Sequence, residues 1–210
     1  MTVGICTVAY GETYHGFLPE WSQHVAALDT KPTTVTILHD GVAQKLRDTV
    51  NDLFNVLWVE DHVTKFEVHP QYLINTAISV TRTDWIIKLD ADDLILPHAL
   101  NGVKSCQADV LNYGYRIGSA DHPSQNVTRE QVLERSSNYV SSCSPFRRWL
   151  WERNPFRDML FDDWGFWFEA AREGATFAAT GTVDYVYRVH DQQMTRHHDN
   201  TAAANMVRAL

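Results

Sequence analysis

The stretch Asp84-Trp85-Ile86-Ile87-Lys88-Leu89-Asp90-Ala91-Asp92-Asp93 decides the fold. Its Trp, Ile and Leu residues predict a strand with little exposure to solvent. Three carboxylates, those of Asp90, Asp92 and Asp93, follow where that strand would reach solvent, and they repel one another unless a cation lies beside them. Mg²⁺ and Mn²⁺ suit this position because they prefer carboxylate oxygens and keep coordination positions for water or phosphate. The same carboxylates also suit the cap of a following helix, because Asp favours N-caps and turns.

The segments before this stretch alternate between strand and helix patterns. Apolar runs predict strands at Thr2 to Tyr10, Thr33 to Leu38 and Val56 to Val59, and apolar residues at helical spacing separate them. A further helical pattern, Gln71 to Val80, precedes the strand that starts near Asp84. This alternation predicts an α/β fold with a mostly parallel central sheet, helices on both faces and right-handed crossovers.

Polar segments end three of these predicted strands. They are Thr7 to Tyr10, His39-Asp40-Gly41 and Asp90 to Asp93. In open α/β sheets, ligands bind at the carboxyl ends of the strands. We therefore expect these three segments, although remote in sequence, to converge on one site.

The second half of the chain has a less regular pattern. A helix is predicted at Phe161 to Glu173, where an aromatic face ends at Gly174, and a polar surface loop is predicted from Gly118 to Asn138. The remaining predictions are a short helix from Pro97 to Cys106, a strand from Leu111 to Ile117, a short helix near Glu130 to Arg135, strands at Ala175 to Ala179 and Val183 to Val189, and a weak helix after Thr201.

Composition excludes several classes of protein. The length of 210 residues suits one domain, and the net charge of −8, with no basic run, argues against nucleic acid as a partner. No apolar run approaches the roughly 20 residues that a membrane span needs, so we expect no membrane span and a cytoplasmic protein. Cys6, Cys106 and Cys143 are far apart in sequence. They are expected to be reduced, mostly buried thiols and not a zinc site.

The pattern resembles the family 2 glycosyltransferases, which have the Rossmann-like GT-A fold. The stretch from Trp85 to Pro97 (WIIKLDADDLILP) looks like the DxD region of that family. Four further segments resemble family elements in the expected order: the opening strand with Thr7 and Tyr10, His39-Asp40-Gly41, the helix start 161–168 (FDDWGFWF) and the closing element 187–190 (YRVH). The resemblance extends from Val3 to about Thr195 and implies one GT-A domain. Residues 1–97 would form its nucleotide-sugar half, 98–195 its acceptor side and 196–210 a C-terminal tail.

The sequence departs from the family pattern at three positions. Ile74 stands where many members have an Arg that contacts the donor, and His69 or Lys65 would have to supply that positive charge. Asp162 replaces the usual Glu before the catalytic base, and His39 replaces the first Asp after the second strand.

The resemblance implies an inverting, metal-dependent transferase that moves a sugar from a nucleotide-diphosphate donor, with UDP favoured, to an acceptor hydroxyl. Mn²⁺ or Mg²⁺ would be held by Asp92 and Asp93, with His190 as a further ligand, and would neutralise the leaving group. Asp90 would hydrogen-bond the ribose or assist at the metal, and His190 also suits an exposed position on a polar tail. Arg188 would contact phosphate, although it also suits a surface ion pair.

Asp163 is the expected general base, which takes the proton from the acceptor hydroxyl. It also suits a helix cap beside Asp162, and both roles are compatible. Asp40 is expected to accept a hydrogen bond from the donor's base, with Thr7 and Tyr10 nearby. Asp40 before Gly41 is also a common turn pairing.

The acceptor, whether glycan, protein or small molecule, is expected to bind between Gly118 and Arg157. Four tryptophans are candidates for a platform on which an acceptor sugar stacks, although core packing suits at least one of the last two: Trp149, Trp151, Trp164 and Trp167. His197-His198 suits a surface tail. Two alternative functions remain: a sugar-1-phosphate nucleotidyltransferase, which needs a basic Gly-rich loop that 11–16 (GETYHG) does not match, and a non-catalytic nucleotide- or carbohydrate-binding protein.

Overall fold

Four parallel strands build the first half of the central sheet. The computed structural model describes residues 1–61, 70–193 and 199–210. Its first elements are β1 (Val3–Ala9), α1 (Gly11–Ala26), β2 (Thr34–His39), α2 (Gln44–Asn51), β3 (Leu57–Glu60), α3 (Pro70–Val80) and β4 (Trp85–Lys88). The spatial order of the strands is β3-β2-β1-β4, and every neighbouring pair is parallel, as the alternation of strands and helices predicted.

The second half extends the same sheet with strands of both directions. Its elements are β5 (Leu94–Ile95), β6 (Val110–Ile117), β7 (Ala120–His122), α4 (Arg129–Glu134), β8 (Phe146–Arg147), α5 (Arg148–Arg153), α6 (Asp162–Arg172), β9 (Phe177–Tyr187) and α7 (Asn200–Arg208). The sheet continues from β4 through β8, β6 and β9 to β5, and β7 pairs with β6. Strand β8 runs antiparallel to both β4 and β6, so β6 has the same direction as β4. Strand β9 is parallel to β6, and most strands of the sheet therefore share one direction.

Helices cover both faces of the sheet and give two hydrophobic cores. The alternation along β1 shows the division: Ile5 packs in the core that α1 and α2 cover, and Cys6 packs in the core that α3, α5 and α6 cover. Alternate residues of a strand point to opposite faces, so one apolar strand supplies both cores. The predicted α/β architecture with a mostly parallel sheet is therefore confirmed.

Three predictions for the second half were wrong. The helix predicted from Pro97 to Cys106 is a series of turns with a 3-10 segment at Val103–Ser105, because Gly102 has a φ of 85° that interrupts a helix. The predicted loop after Gly118 contains strand β7, which a two-residue turn joins to β6. The two short strands predicted near the C-terminus are one strand, β9 (Phe177–Tyr187), which continues through Gly181 although its register with β6 shifts between Ala179 and Tyr185.

Other features follow the sequence. Cys6 and Cys143 are buried, Cys106 is partly buried and none of the three forms a disulfide. Among the described helices, none has the length and apolar character needed to cross a membrane. The weak helix predicted after Thr201 is α7, which Asp199 caps. Lys65, His69 and the pair His197-His198 lie outside the described residues.

Candidate active site

A pocket of about 630 Å³ lies at the carboxyl ends of β1 and β4, facing the start of α6. We call it the carboxylate pocket because five Asp residues line it: Asp90, Asp92, Asp93, Asp162 and Asp163. β1 and β4 are hydrogen-bonded neighbours, so the residues after β4 emerge beside the start of α1. The structure therefore brings the predicted DxD region and the predicted base helix to one place.

Lys88, the last residue of β4, supplies the positive charge inside this pocket. Its Nζ donates hydrogen bonds to Asp90 at 2.9 Å from Oδ1 and 3.1 Å from Oδ2, and the residue is only 9% exposed. Burial alone would lower the pKa of Lys88. The charges of Asp90, Asp162 and Asp163 outweigh burial and raise that pKa well above its usual value. Sequence reasoning assigned no role to Lys88, although a lysine inside an otherwise apolar buried strand was the available signal.

His190 and Asp92 meet at the same end of the sheet. The imidazole Nε2 lies 2.8 Å from Oδ2 of Asp92, and Nδ1 accepts a hydrogen bond from the backbone N–H of Gln192 at 3.3 Å. The ring also lies 5.0 Å, between centroids, from the ring of Phe17. Burial and the charge of Asp90 raise the pKa of Asp92, and the hydrogen bond from His190 opposes that rise. The two predicted metal-binding residues are thus adjacent, although 98 positions separate them.

Asp93 points into the protein and is 2% exposed. Its Oδ1 accepts a hydrogen bond from the backbone N–H of Arg188 at 3.1 Å, and the Cys143 thiol approaches Oδ2 at 3.7 Å. Burial, with the charges of Asp90 and Asp92, raises the pKa of Asp93 well above its usual range. These contacts suit an anchoring role. Metal binding by Asp93 stays a prediction.

Arg188 holds the segment that carries these carboxylates. Its guanidinium donates to the backbone carbonyls of Asp92 and, at 3.3 Å, of Ala91, and it pairs with Glu20 of α1 at 2.5 Å. The guanidinium carbon also lies 4.6 Å above the ring of Phe17. Arg188 therefore ties the residues after β4 to α1. Its predicted contact with phosphate would come in addition to this role.

Asp162 and Asp163 open α6 and face the carboxylate pocket. The side chain of Asp163 accepts a hydrogen bond from Nδ2 of Asn138 at 2.9 Å, and Asp162 accepts one from the backbone N–H of Asp163 at 2.8 Å. Burial raises the pKa of both carboxyls, that of Asp162 to about 7, and the charge of Lys88 opposes the rise in each. The helix-capping alternative has partial support, since Asp162 bonds to the first turn while the N-cap residue is Phe161. Asn138 was missed because its partner is remote in sequence.

The predicted base-binding residues take different positions. Tyr10 lines the pocket, and its hydroxyl donates to the backbone carbonyl of Asp61 at 3.2 Å. Burial is the main cause that raises the pKa of Tyr10 to about 12. Asp40 is nearly buried and does not line this pocket, because its carboxylate accepts the N–H of Gly11 at 3.0 Å and contacts His15 at 2.9 Å. Thr7 is 1% exposed and does not line the pocket either.

Ile74, which stands where the resemblance implies an Arg, faces the carboxylate pocket. Ile74 and Leu73 of α3 both line it, so an apolar wall stands where a positive charge was expected. The neighbouring Asn75 donates to the carbonyl of Phe156 at 2.9 Å and accepts from the indole of Trp151 at 2.8 Å. α3 is thereby fixed against the segment before α6.

The four tryptophans have different surroundings. Trp167 is 1% exposed and belongs to the core under α6, and Trp149 and Trp151 pack against the same core. Trp164 lines the carboxylate pocket. Trp167 therefore has the core-packing role expected for at least one of Trp164 and Trp167, and a platform that includes Trp149, Trp151 or Trp164 stays a prediction.

The residues fit a divalent cation only in part. Within residues 1–61, 70–193 and 199–210, no group of three or more His, Cys, Asp or Glu side chains is arranged to hold a metal ion. Asp92 and His190 nevertheless place a carboxylate oxygen and an imidazole nitrogen 2.8 Å apart beside the pocket. Two protein ligands of this kind suit Mg²⁺ or Mn²⁺ when substrate phosphates and water complete the coordination.

Comparison with solved structures identifies proteins that have a similar fold. No protein-family model and no curated protein matches the sequence. Among solved structures, residues 1–349 of S. aureus TarS in complex with UDP-GlcNAc match with a TM-score of 0.75 and 15% identity, over 95% of this chain and 62% of that one. The mannosyltransferase PcManGT of Pyrobaculum calidifontis, in complex with GDP-Man and Mn²⁺, matches with a TM-score of 0.64 and 17% identity, over 93% and 59%.

A third structure agrees with these two. Glucosyl-3-phosphoglycerate synthase of Mycobacterium tuberculosis, solved with Mn²⁺, UDP and glucosyl-3-phosphoglycerate, matches with a TM-score of 0.65 and 15% identity, over 98% of this chain and 77% of that one. The chain spans about 60% of the length of the TarS fragment and of the mannosyltransferase. At these identities the likeness shows the fold, and the predicted GT-A fold is confirmed.

Proposed function

We propose that this chain is an inverting glycosyltransferase that moves a sugar from a nucleoside-diphosphate donor to an acceptor hydroxyl. The observation that carries the proposal is the carboxylate pocket itself. It joins carboxylates from the end of β4, among them Asp90 and Asp92, with Asp163 from the start of α6. The first group suits a metal and a diphosphate, and Asp163 suits proton removal.

The donor end of the proposed site rests on Asp92 and His190, which would hold Mn²⁺ or Mg²⁺. A bound cation would neutralise the negative charge that develops on the departing diphosphate. Asp93 and Arg188 would keep this segment in place through the hydrogen bond between them. Asp90 would accept a hydrogen bond from the donor's ribose while Lys88 holds its carboxylate in place.

Asp163 would act as the general base. The acceptor oxygen forms a bond to the anomeric carbon as the bond from that carbon to the diphosphate oxygen breaks. The hydroxyl proton passes to the Asp163 carboxylate, and the bonding electron pair leaves with the diphosphate. Asn138 would hold the carboxylate in place through its 2.9 Å hydrogen bond. Base catalysis of this kind is typically worth about 10²- to 10⁴-fold in rate.

UDP is the proposed nucleotide. TarS has been solved with UDP-GlcNAc and glucosyl-3-phosphoglycerate synthase with UDP, whereas the mannosyltransferase carries GDP-Man. Tyr10 would lie near the base. Asp40 would contribute by holding the N–H of Gly11 at the start of α1, so its direct contact with uracil stays a prediction, as does any role of Thr7. A cytoplasmic location is also part of this proposal.

Thermal shift with nucleotides tests the proposal. UDP or GDP with Mn²⁺ should raise the melting temperature, because a ligand that binds only the native state stabilises it. Asp163→Asn should keep this shift and lose transfer by at least about 10²-fold. A matched control is Asp48→Asn, which changes an exposed Asp of α2. The proposal fails if neither nucleotide stabilises the protein with Mn²⁺, or if Asp163→Asn transfers sugar at the wild-type rate.

A further inference from the structure

A second pocket, of about 790 Å³, adjoins the carboxylate pocket. We call it the tyrosine pocket, because tyrosine rings from β6 and β9 line it. The two pockets share four lining residues: Asn138, Ser142, Asp163 and Tyr187. Asp163 therefore stands at their boundary, so a molecule in the tyrosine pocket would present its reacting group to the same carboxylate that faces the donor side.

Two stacked rings on adjacent strands, with a third, buried ring beside them, form one wall of the tyrosine pocket. The ring of Tyr115 stacks on that of His122, with centroids 4.9 Å apart and an angle of 24° between the planes. Tyr185 lies 6.1 Å from Tyr115 between ring centroids, but it is only 3% exposed and supports the stack from the core. Strand pairing fixes this set, since Tyr115 is opposite both His122 of β7 and Tyr185 of β9. Flat rings held by backbone pairing are a suitable surface for the apolar faces of a pyranose.

The described lining of the tyrosine pocket has no cationic Lys or Arg side chain. It includes two carboxylic acids, Asp121 and Asp163. Arg116 lies next to it but binds Asp121 through two hydrogen bonds of 2.6 and 3.1 Å, so this pair has no net charge. A phosphate or carboxylate on a ligand needs Arg or Lys partners and would be repelled by an ionised Asp163. Neutral hydroxyls can instead donate to such carboxylates.

Hydrogen bonds preform the polar part of the tyrosine pocket. The Asn112 amide donates to the carbonyls of Gln125 and Tyr139 at 3.1 and 3.2 Å, which joins the two loops over β6. Oδ1 of Asn112 accepts from the N–H of Ser141 at 3.2 Å. The loops are therefore held before any ligand binds, which lowers the entropic cost of binding.

We infer that the tyrosine pocket is the acceptor site and that it takes a neutral sugar, with phosphorylated or carboxylated acceptors excluded. This inference rests on the proposed function, since Asp163 is the base in both. It separates this chain from glucosyl-3-phosphoglycerate synthase, whose bound product carries a phosphoglycerate group.

Ligand-observed NMR with the intact protein, UDP and diamagnetic Mg²⁺ would test the inference. The probes are the methyl glycosides of glucose, galactose, mannose and N-acetylglucosamine, the 6-phosphate of each of these sugars, and 3-phosphoglycerate. At least one glycoside should bind about 10-fold more tightly than its 6-phosphate, since the phosphate has no cationic partner among the described lining residues. The inference is overturned if any phosphorylated compound binds as tightly as the best glycoside, or if no glycoside binds while UDP does.

Variants separate a ring platform from general damage to the fold. Tyr115→Ala should weaken glycoside binding by about 10-fold and leave the thermal shift with UDP unchanged, while Tyr115→Phe keeps the ring and should bind normally. If Tyr115→Ala does not fold, His122→Ala on the exposed strand β7 replaces it. Unchanged glycoside binding in the folded alanine variant overturns the inference. Absence of any nucleotide shift in the wild-type protein would instead overturn the proposed function.

Discussion

Lys88 and Asp90 form an ion pair at the point where β4 enters the carboxylate pocket, with Nζ 2.9 Å from Oδ1 and 3.1 Å from Oδ2. The lysine is buried. Its charge also lowers the pKa values of Asp162 and Asp163 and so opposes the rise that burial causes. One cation thus balances carboxylates from two segments that are more than 70 positions apart. The ion pair links the strand that carries Asp90 to the helix start that carries Asp163.

Replacement of Lys88 by Met should strongly destabilise the protein. The substitution removes the counter-charge of the buried Asp162 and Asp163 and of Asp90, whose side chain is 41% exposed, so the cost should lie below the roughly 3–5 kcal/mol of a fully buried pair. Lys88→Arg keeps the charge and should cost less. Urea unfolding at pH 7 measures both. Equal free energies of unfolding for Lys88→Met and the wild-type protein would contradict the role of Lys88 as an internal counter-ion.

Asp162→Asn should stabilise the protein increasingly as the pH rises. The pKa of Asp162 is raised from 3.8 to about 7 in the folded protein, mainly by burial. The folded state therefore binds a proton more tightly than the unfolded state, and the wild-type protein loses stability as the pH rises from about 4 through about 7. An amide has no charge to bury and can still accept the hydrogen bond from the N–H of Asp163.

Urea unfolding at pH 5 and pH 8.5 measures this difference. The advantage of Asp162→Asn over wild type should grow between the two pH values by an amount of the order of 2 kcal/mol. Asp48→Asn, at an exposed position of α2, is the matched control for the loss of one carboxylate. A pH-independent effect of Asp162→Asn would show that its ionisation is not linked to folding.

His190→Ala should weaken the response to metal without preventing nucleotide binding. The imidazole contacts Asp92 at 2.8 Å, and its loss removes one of the two proposed protein ligands. The Mn²⁺ concentration that gives half of the thermal shift with UDP should rise by about 10-fold or more. His98→Ala is the control, because His98 is 43% exposed and its Nε2 contacts the carbonyl of Val183. An unchanged Mn²⁺ requirement would remove His190 from the metal site.

The parallel half of the fold could be predicted because its pattern is local. The runs that form β1, β2 and β3 are apolar and separated by helical stripes, and the strand-helix alternation leaves few topologies. The second half could not be predicted as well. Strand β7 is a polar edge strand with all three residues exposed, and β9 continues through Gly181, so neither shows the apolar pattern that marks a strand.

Sequence reasoning located the candidate site but not its internal bonding. Asp92, His190 and Asp163 stood out because the resemblance names such positions, and the structure places Asp92 and Asp163 in one pocket and His190 in contact with Asp92. Hydrogen bonds between residues far apart in sequence could not be predicted from the sequence. Asp40 was expected at the donor's base, yet its carboxylate holds the N–H of Gly11, because α1 starts directly after β1 and its N-cap residue, Tyr10, makes no side-chain cap.

Two identical substitutions, Gly114→Ala and Gly16→Ala, should have opposite effects on stability. A Cβ at Gly114 of β6 would lie 2.1 Å from the carbonyl oxygen of Thr182, 2.5 Å from the nitrogen of Ser124 and 2.6 Å from the carbonyl oxygen of His122. All three are backbone atoms that the sheet holds, so the strands that carry the wall of the tyrosine pocket must separate. We expect a loss of about 3 kcal/mol.

Gly16 gives the matched comparison. It lies on the exposed side of α1, and no described heavy atom comes within 4 Å of the added methyl group. Alanine is the better helix former by up to about 1 kcal/mol, so Gly16→Ala should raise the free energy of unfolding. Urea unfolding of both variants measures whether the free energy of unfolding falls for Gly114→Ala and rises for Gly16→Ala. A stable Gly114→Ala protein would mean that β6, β7 and β9 do not approach as closely as the structure shows, and the tyrosine pocket would then lack the rigid wall on which its proposed preference for sugar rings depends.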